Sequence, residues 1–255
     1  MALGLARERA YSPDEIVAIY RDHASTIFPL KRFASIRAVR QAFAEKYDAL
    51  PLERLARTMF GDEKLSDCRS NVLVAAYDTA QRGPFFFKHY DAGTLKRNRR
   101  LREKENPPED FYLRDVARAT SAAPTYFVPA LVRSTSGTER SLLDGGLVAN
   151  NPALSAYVEA RKIGPDARRY VIVSIGTGRN GRRFSNKTIS KWGYIDWVSP
   201  IHGVPMLAFM SDGQSEAVAH SLKNMPRVDY YRFNADLSDV AEEMDDARPG
   251  NMRKV

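Results

Sequence analysis

Tyr170-Val171-Ile172-Val173-Ser174-Ile175 is an almost unbroken apolar run closed by Gly176, and it limits the fold more than any other stretch. A strand covered on one face alternates apolar and polar side chains, whereas a run without alternation reads as a strand buried on both faces. Asn71-Val72-Leu73-Val74-Ala75-Ala76-Tyr77 repeats the pattern. Phe85-Phe86-Phe87 after Gly83-Pro84 adds a neighbour, Leu142-Leu143-Asp144 ends another strand, and Arg227 to Phe233 supplies one more. Helical segments separate these runs. Ser12-Pro13-Asp14-Glu15 is a capping box with Pro at the first helical position, and Ile16, Ile19, Tyr20, His23 and Ile27 follow near one face. A second helix runs from about Leu52, with Leu55, Ala56 and Met59 inward and Gly61 past its end. Residues 114–122 form a short helix stopped by Pro124, Asn151-Pro152 opens a helix with Leu154 and Tyr157, and Met206 to Leu222 is a long one. Strands alternating with helices imply an α/β fold, a layered and mostly parallel sheet with helices on both faces. With no internal repeat and no linker, residues 1–255 read as a single domain.

Composition narrows the class. Of the 255 residues, 44% are hydrophobic and 27% charged, which excludes a disordered chain. The formal charge of +8 favours polyanionic partners without choosing among nucleic acid, anionic lipid and acidic protein. Cys68 is the one cysteine, so an intrachain disulfide and a multi-thiolate metal site are both excluded. His23, His89, His202 and His220 lack metal-ligand spacing, and no metal or other cofactor is expected. No apolar run approaches the ~20 residues that span a bilayer. Residues 1–10 lack the pattern of a signal peptide, so a cytoplasmic or peripherally membrane-attached protein is the expectation.

Three segments stand together in an order that carries more information. Ala117-Arg118-Ala119-Thr120-Ser121-Ala122-Ala123-Pro124-Thr125-Tyr126-Phe127 comes first. Leu143-Asp144-Gly145-Gly146-Leu147-Val148-Ala149-Asn150-Asn151-Pro152 follows, and Val173-Ser174-Ile175-Gly176-Thr177-Gly178 is last. A carboxylate at the end of a buried strand sits at the carboxyl edge, where open α/β sheets place their sites. Two glycines after it permit positive φ, a tight turn and close approach of backbone or substrate. The plain alternative for Asp144 is a turn or helix-capping acid.

The series resembles the patatin-like phospholipase family over nearly the whole chain, including the Tyr77-Asp78 strand end and Tyr230-Tyr231-Arg232. The resemblance implies a lipid acyl hydrolase with a serine–aspartate dyad, acting on phospholipid or other lipid acyl esters. In it, a serine on a G-x-S-x-G elbow attacks the ester carbonyl, and the aspartate takes its proton. Asp144 maps onto the aspartate, with Asp144, Gly145 and Gly146 as its motif. The chain departs from the pattern in one respect: no G-x-S-x-G and no glycine-rich oxyanion loop occurs in residues 1–255. Met1-Ala2-Leu3-Gly4-Leu5-Ala6 resembles the middle of the helix that follows the elbow. The resemblance therefore implies a domain incomplete at its N-terminus, lacking the first strand or strands and the nucleophile elbow, and inactive as it stands. Ser12, a helix cap, Ser121, inside another motif, and Ser174, inside a strand, are poor substitutes.

Rival signals remain. Gly176-Thr177-Gly178-Arg179-Asn180-Gly181 fits G-x-G-x-x-G after a strand, but a nucleotide-binding enzyme needs a helix opening at once, and Arg182-Arg183-Phe184-Ser185 has no apolar stripe. Lys96 to Lys104 is a dense basic run without the interleaved aromatics of a nucleic-acid arm, so no specific nucleic-acid partner is expected, and it reads as a solvated loop or a patch attracting anionic headgroups. Trp192, Tyr194, Trp197, Pro200 and Pro205 form an aromatic stretch suited to an acyl groove, a membrane interface or a loop packed over the core. A non-catalytic fragment that binds lipid or protein would need only these basic and aromatic surfaces.

Overall fold

A computed structural model of the protein describes residues 1–7, 9–29, 46–89, 109–178, 184–198, 204–237 and 245–252. The chain divides into two compact units, Met1–Val148 and Ala149–Val255.

The first unit opens with α1 (Ala2–Ala6) and α2 (Pro13–Ile27). Ser12 caps α2 as its sequence dictates: its hydroxyl accepts from the Glu15 amide at 3.2 Å, while the Glu15 carboxylate accepts from the Ser12 amide at 2.7 Å. Of the apolar stripe on α2, Ile16 is buried, whereas Tyr20 is 62% exposed. Ile16 lies beside Gly4 of α1, and Ile19 and Ile27 of the stripe are half-buried. Next comes α3 (Leu50–Phe60), ended by Gly61 at φ 52° with its amide bonded back to Arg57. Strands β1 (Leu73–Asp78) and β2 (Gly83–Lys88) follow, then α4 (Leu113–Thr120), β3 (Ala130–Arg133) and β4 (Glu139–Asp144).

These strands make a sheet of order β2-β1-β4-β3. All three pairings are antiparallel, where mostly parallel pairing was expected. The reason is connection length. Residues 79–82 join β1 to β2 and residues 134–138 join β3 to β4, far short of the dozen or more that a parallel crossover needs. The mixed α/β class itself holds. The core of this unit gathers Phe87, Phe111, Leu113, Val116 and Leu142, with Phe85, Phe87 and Phe111 packed edge to face. A buried ion-pair chain pins the β1 end to β4. Arg140 Nη1 donates to Asp78 at 3.2 Å and its Nε to Glu109 at 2.9 Å, with the guanidinium over the Phe85 ring.

Helix α5 (Gly146–Ala149) carries the chain out of β4. The second unit then holds α6 (Ala153–Ile163), β5 (Tyr170–Ile175), the short α7 (Asn186–Ile189) and α8 (Tyr194–Val198), the long α9 (Pro205–Lys223), β6 (Val228–Phe233) and α10 (Pro249–Met252). Strands β5 and β6 pair in parallel, as the long connection through α9 allows. Their core partners are Ala153, Tyr157 and Leu222, from α6 and α9. Helices α6 and α9 cover one face of the pair. On the other, Val171, Val173, Ile175, Tyr231 and Phe233 are exposed, so β5 is not buried on both faces as its composition suggested. Among the described residues, no helix is long and apolar enough to cross a membrane.

Candidate active site

Asp144 is the last residue of β4, so the strand does end at the acid. Its neighbour across the ladder is Ala76, in the middle of β1 rather than at its end. Antiparallel strands share no common carboxyl edge, so the acid lies beside the body of β1. The first and second family-like segments meet here. The Asp144 amide donates to the Ala122 carbonyl at 3.0 Å, and the Gly145 amide reaches the Thr120 carbonyl at 3.4 Å. Thr120 closes the arrangement, its hydroxyl donating to the Ala75 carbonyl at 2.8 Å. One threonine thereby joins α4, β1 and the turn after β4.

Gly145 is required by contact. A methyl group there would stand 2.7 Å from the Ala75 carbonyl carbon and closer still to its oxygen. Among the described residues the positive-φ glycines are Gly61, Gly137 and Gly178, so neither Gly145 nor Gly146 uses the left-handed region that their pairing suggested. What the sequence could not display is that the β1 backbone passes directly against the turn.

The Asp144 carboxylate accepts from the Gly146 amide at 2.6 Å, the first residue of α5. Burial raises its pKa above the ordinary carboxylate value, and the Gly146 hydrogen bond opposes that rise without cancelling it. Among the described residues, no charged neighbour contributes to the shift. The site thus holds a half-buried acid whose proton affinity is increased by its surroundings, which suits a general base better than a free aspartate.

In the second unit, the end of the second segment meets the third. Asn151 is 2% exposed, and its Oδ1 accepts from the Ala153 amide and from the Ser174 hydroxyl, both at 3.2 Å. Its Nδ2 donates to the Tyr230 hydroxyl at 3.2 Å, and Arg232 Nη1 donates to Ser174 Oγ at 2.8 Å. Asn151, Ser174, Tyr230 and Arg232 therefore form one polar network that fixes α6 to β5 and β6. Ser174 is spent within it, and Ser12 is spent as a cap. Ser121 lies one residue before the carbonyl that holds the Asp144 amide, and makes no hydrogen bond to Asp144 among the described residues.

The glycines after β5 serve the local packing. A methyl on Gly176 would come within 2.7 Å of Arg232 Nη2, and Gly178, at φ 107°, lies against Leu237 with its amide on Asn234. The helix that a nucleotide site needs would fall on residues 179–183, outside the described residues. The basic run from Lys96 to Lys104 and Pro200 lie outside them too.

Fold and site together define a mixed α/β protein with a strand-terminal acid held in an Asp-Gly-Gly turn. The patatin-like phospholipase family model matches residues 1–157. Patatin-like protein 2 of Arabidopsis thaliana is 30% identical over 270 residues, covering 95% of this chain and 63% of the relative. Patatin-like protein 3 of the same plant is 32% identical, over 90% of this chain and 59% of its own length. Patatin-like protein 2 of Oryza sativa subsp. indica is 27% identical, over 95% and 64%. The chain belongs to the patatin-like phospholipase family, and spans about three-fifths of the length of these relatives.

Proposed function

We propose that the protein works as a lipid acyl hydrolase of the phospholipase A or esterase type, with Asp144 as the general base of a serine–aspartate dyad. The observation that carries the reading is the half-buried Asp144 carboxylate, raised in pKa by burial, at the strand end of an Asp-Gly-Gly turn in a patatin-like chain. In the proposed reaction a serine hydroxyl attacks the ester carbonyl as its proton passes to Asp144. The tetrahedral intermediate collapses with loss of the alcohol, which takes that proton. Water then attacks the acyl-enzyme, giving a proton to Asp144, and as the carboxylic acid departs Asp144 returns that proton to the serine oxygen. No metal is needed for this sequence.

The nucleophile and its oxyanion donors come, in this reading, from outside residues 1–255, since those residues contain no G-x-S-x-G. The 255-residue chain alone is then non-catalytic and retains a binding surface for lipid. We place the working protein in the cytoplasm, at the periphery of anionic membranes, in keeping with its charge of +8. The test compares the 255-residue chain with the same chain extended through the coding sequence in frame upstream of Met1. The extended protein should hydrolyse a short-chain chromogenic ester and take up a serine-directed fluorophosphonate, and the shorter chain should do neither. Phosphonate-sensitive turnover by the 255-residue chain would place the nucleophile inside it and overturn the reading.

A further inference from the structure

Phe184, Trp192, Trp197 and Phe209 form a continuous ring cluster in the second unit. Trp192 stands edge-on to Phe184 and to Trp197, at 5.1 Å between centroids in each case. Phe209 closes the set at 5.4 Å from Phe184 and 5.8 Å from Trp197. The cluster ties α7, α8 and the start of α9 together, and so explains how two very short helices keep their positions. It does not explain the side chains around it. Tyr194 is 84% exposed, Ile195 77%, Met210 63% and Met206 51%. Met206, Phe209 and Met210 share one stripe of α9, spaced three and four residues apart, and Phe209 joins that stripe to the rings. An apolar surface of this kind, held by a rigid aromatic base, marks an interaction site rather than a solvated loop.

Its charge selects the partner. Exposed Lys187 and Lys191 flank the rings, and the sequence from Arg179 to Lys191 carries five basic residues and no carboxylate. The acid within the patch, Asp196, accepts from the Gly193 amide at 2.8 Å and serves to start α8. Indole and phenol rings combine an apolar body with a polar edge and concentrate where lipid headgroups meet acyl chains. Lysines beside them add attraction to anionic headgroups. A short apolar insertion ringed by lysine meets the two requirements of reversible interfacial binding.

We propose that Tyr194, Ile195, Met206 and Met210, on the cluster of Trp192 and Trp197, dock the protein on anionic bilayers, with Lys187 and Lys191 at the headgroups. The proposal rests on the lipid-substrate reading above and names the surface through which the protein reaches that substrate. Trp192 and Trp197 are both tryptophans of the chain, so intrinsic fluorescence reports on this surface alone.

The 255-residue chain is titrated with phosphatidylcholine vesicles, with and without phosphatidylserine, while tryptophan emission and co-sedimentation are followed. The expected result is a blue shift with the phosphatidylserine vesicles, and quenching by lipids brominated along the acyl chain. Tyr194→Ser combined with Met210→Ser should weaken partitioning about ten-fold or more, and Lys187→Gln with Lys191→Gln should remove most of the preference for anionic vesicles. All four positions are exposed, and circular dichroism verifies that the variants fold. Co-sedimentation without a tryptophan response, or binding unchanged in both variants, would assign the contact to another surface and overturn the proposal. Absence of binding to either vesicle would overturn it too, as would a concentration-dependent shift without lipid, which signals self-association. None of these outcomes touches hydrolysis of a dispersed short-chain ester by the extended protein, so the two readings fail separately.

Discussion

Replacing Gly145 with alanine is the smallest change that tests how the acid is held. The added methyl would stand 2.7 Å from the Ala75 carbonyl carbon, against an ordinary carbon–carbon contact of about 3.5–4.0 Å. Both neighbours are backbone, so no rotamer change relieves the overlap, and β1 and the turn must part by about 1 Å. Overpacking of this kind costs about 1–3 kcal/mol. The same displacement loosens the Thr120 hydroxyl's bond to Ala75 and the Asp144 amide's bond to Ala122, adding about 1 kcal/mol. A total of about 2–4 kcal/mol lowers the melting temperature of a unit this size by about 5–15 °C. Calorimetry measures it, and hydrogen exchange should show faster exchange in β1, β4 and α4. Gly213→Ala is the control: it sits inside α9 with open space around its α-carbon and should stabilise by about 0.5–1 kcal/mol. A Gly145→Ala protein melting within a degree of the parent would refute the close approach, and with it the reason for a glycine after the acid.

Burial raises the Asp144 pKa, so the fold favours the protonated acid. The stability this contributes is complete below the unfolded value, about 3.9, and is lost as pH rises through the folded value. Asp144→Asn keeps an acceptor for the Gly146 amide without the charge and should melt higher than the parent at pH 7, with no advantage at pH 3; a lower melting point at pH 7 would contradict the assignment. Cys68, 6% exposed, has its thiol pKa pushed up to about 11, chiefly by burial. The native chain should resist a thiol-specific disulfide reagent at pH 8 and react on unfolding, and rapid labelling of the native protein would refute this. Arg140→Leu removes the ion-pair partner of Asp78, 3% exposed, which keeps its bonds from the Ala80 and Gln81 amides; the change should cost about 3 kcal/mol in urea denaturation, the low end for breaking a buried pair, and a loss under about 1 kcal/mol would show that the ion-pair chain is dispensable.

The sequence is most informative where the physics is local. The Ser12 capping box, the Gly61 helix stop and the β5 run from Tyr170 to Ile175 appear where residue chemistry places them, because each depends on neighbours a few positions away. Asp144 at the end of β4 follows from Leu142-Leu143 before it and two glycines after it. Strand direction is a property of pairing partners distant in sequence. A signal for it existed nonetheless: four residues between Asp78 and Gly83 can close only a hairpin. The apolar run of β5 records a preference for burial, but composition does not say what covers each face. The clamp of Thr120 on Ala75 was invisible because it joins positions 45 residues apart. The network of Asn151, Ser174, Tyr230 and Arg232 is likewise assembled by the fold, although each member sits in or beside a segment that carries the family resemblance.

The proposed role of Asp144 is tested most directly by kcat/KM of the extended, serine-bearing protein, measured for Asp144 and for Asp144→Asn on one short-chain ester. A positioned general base contributes about 10²- to 10⁴-fold, so a loss of that size is expected, with the variant melting no lower than the parent. Activity of Asp144→Asn within a few-fold of the parent, in a protein that still labels with fluorophosphonate, would show that another group takes the serine proton.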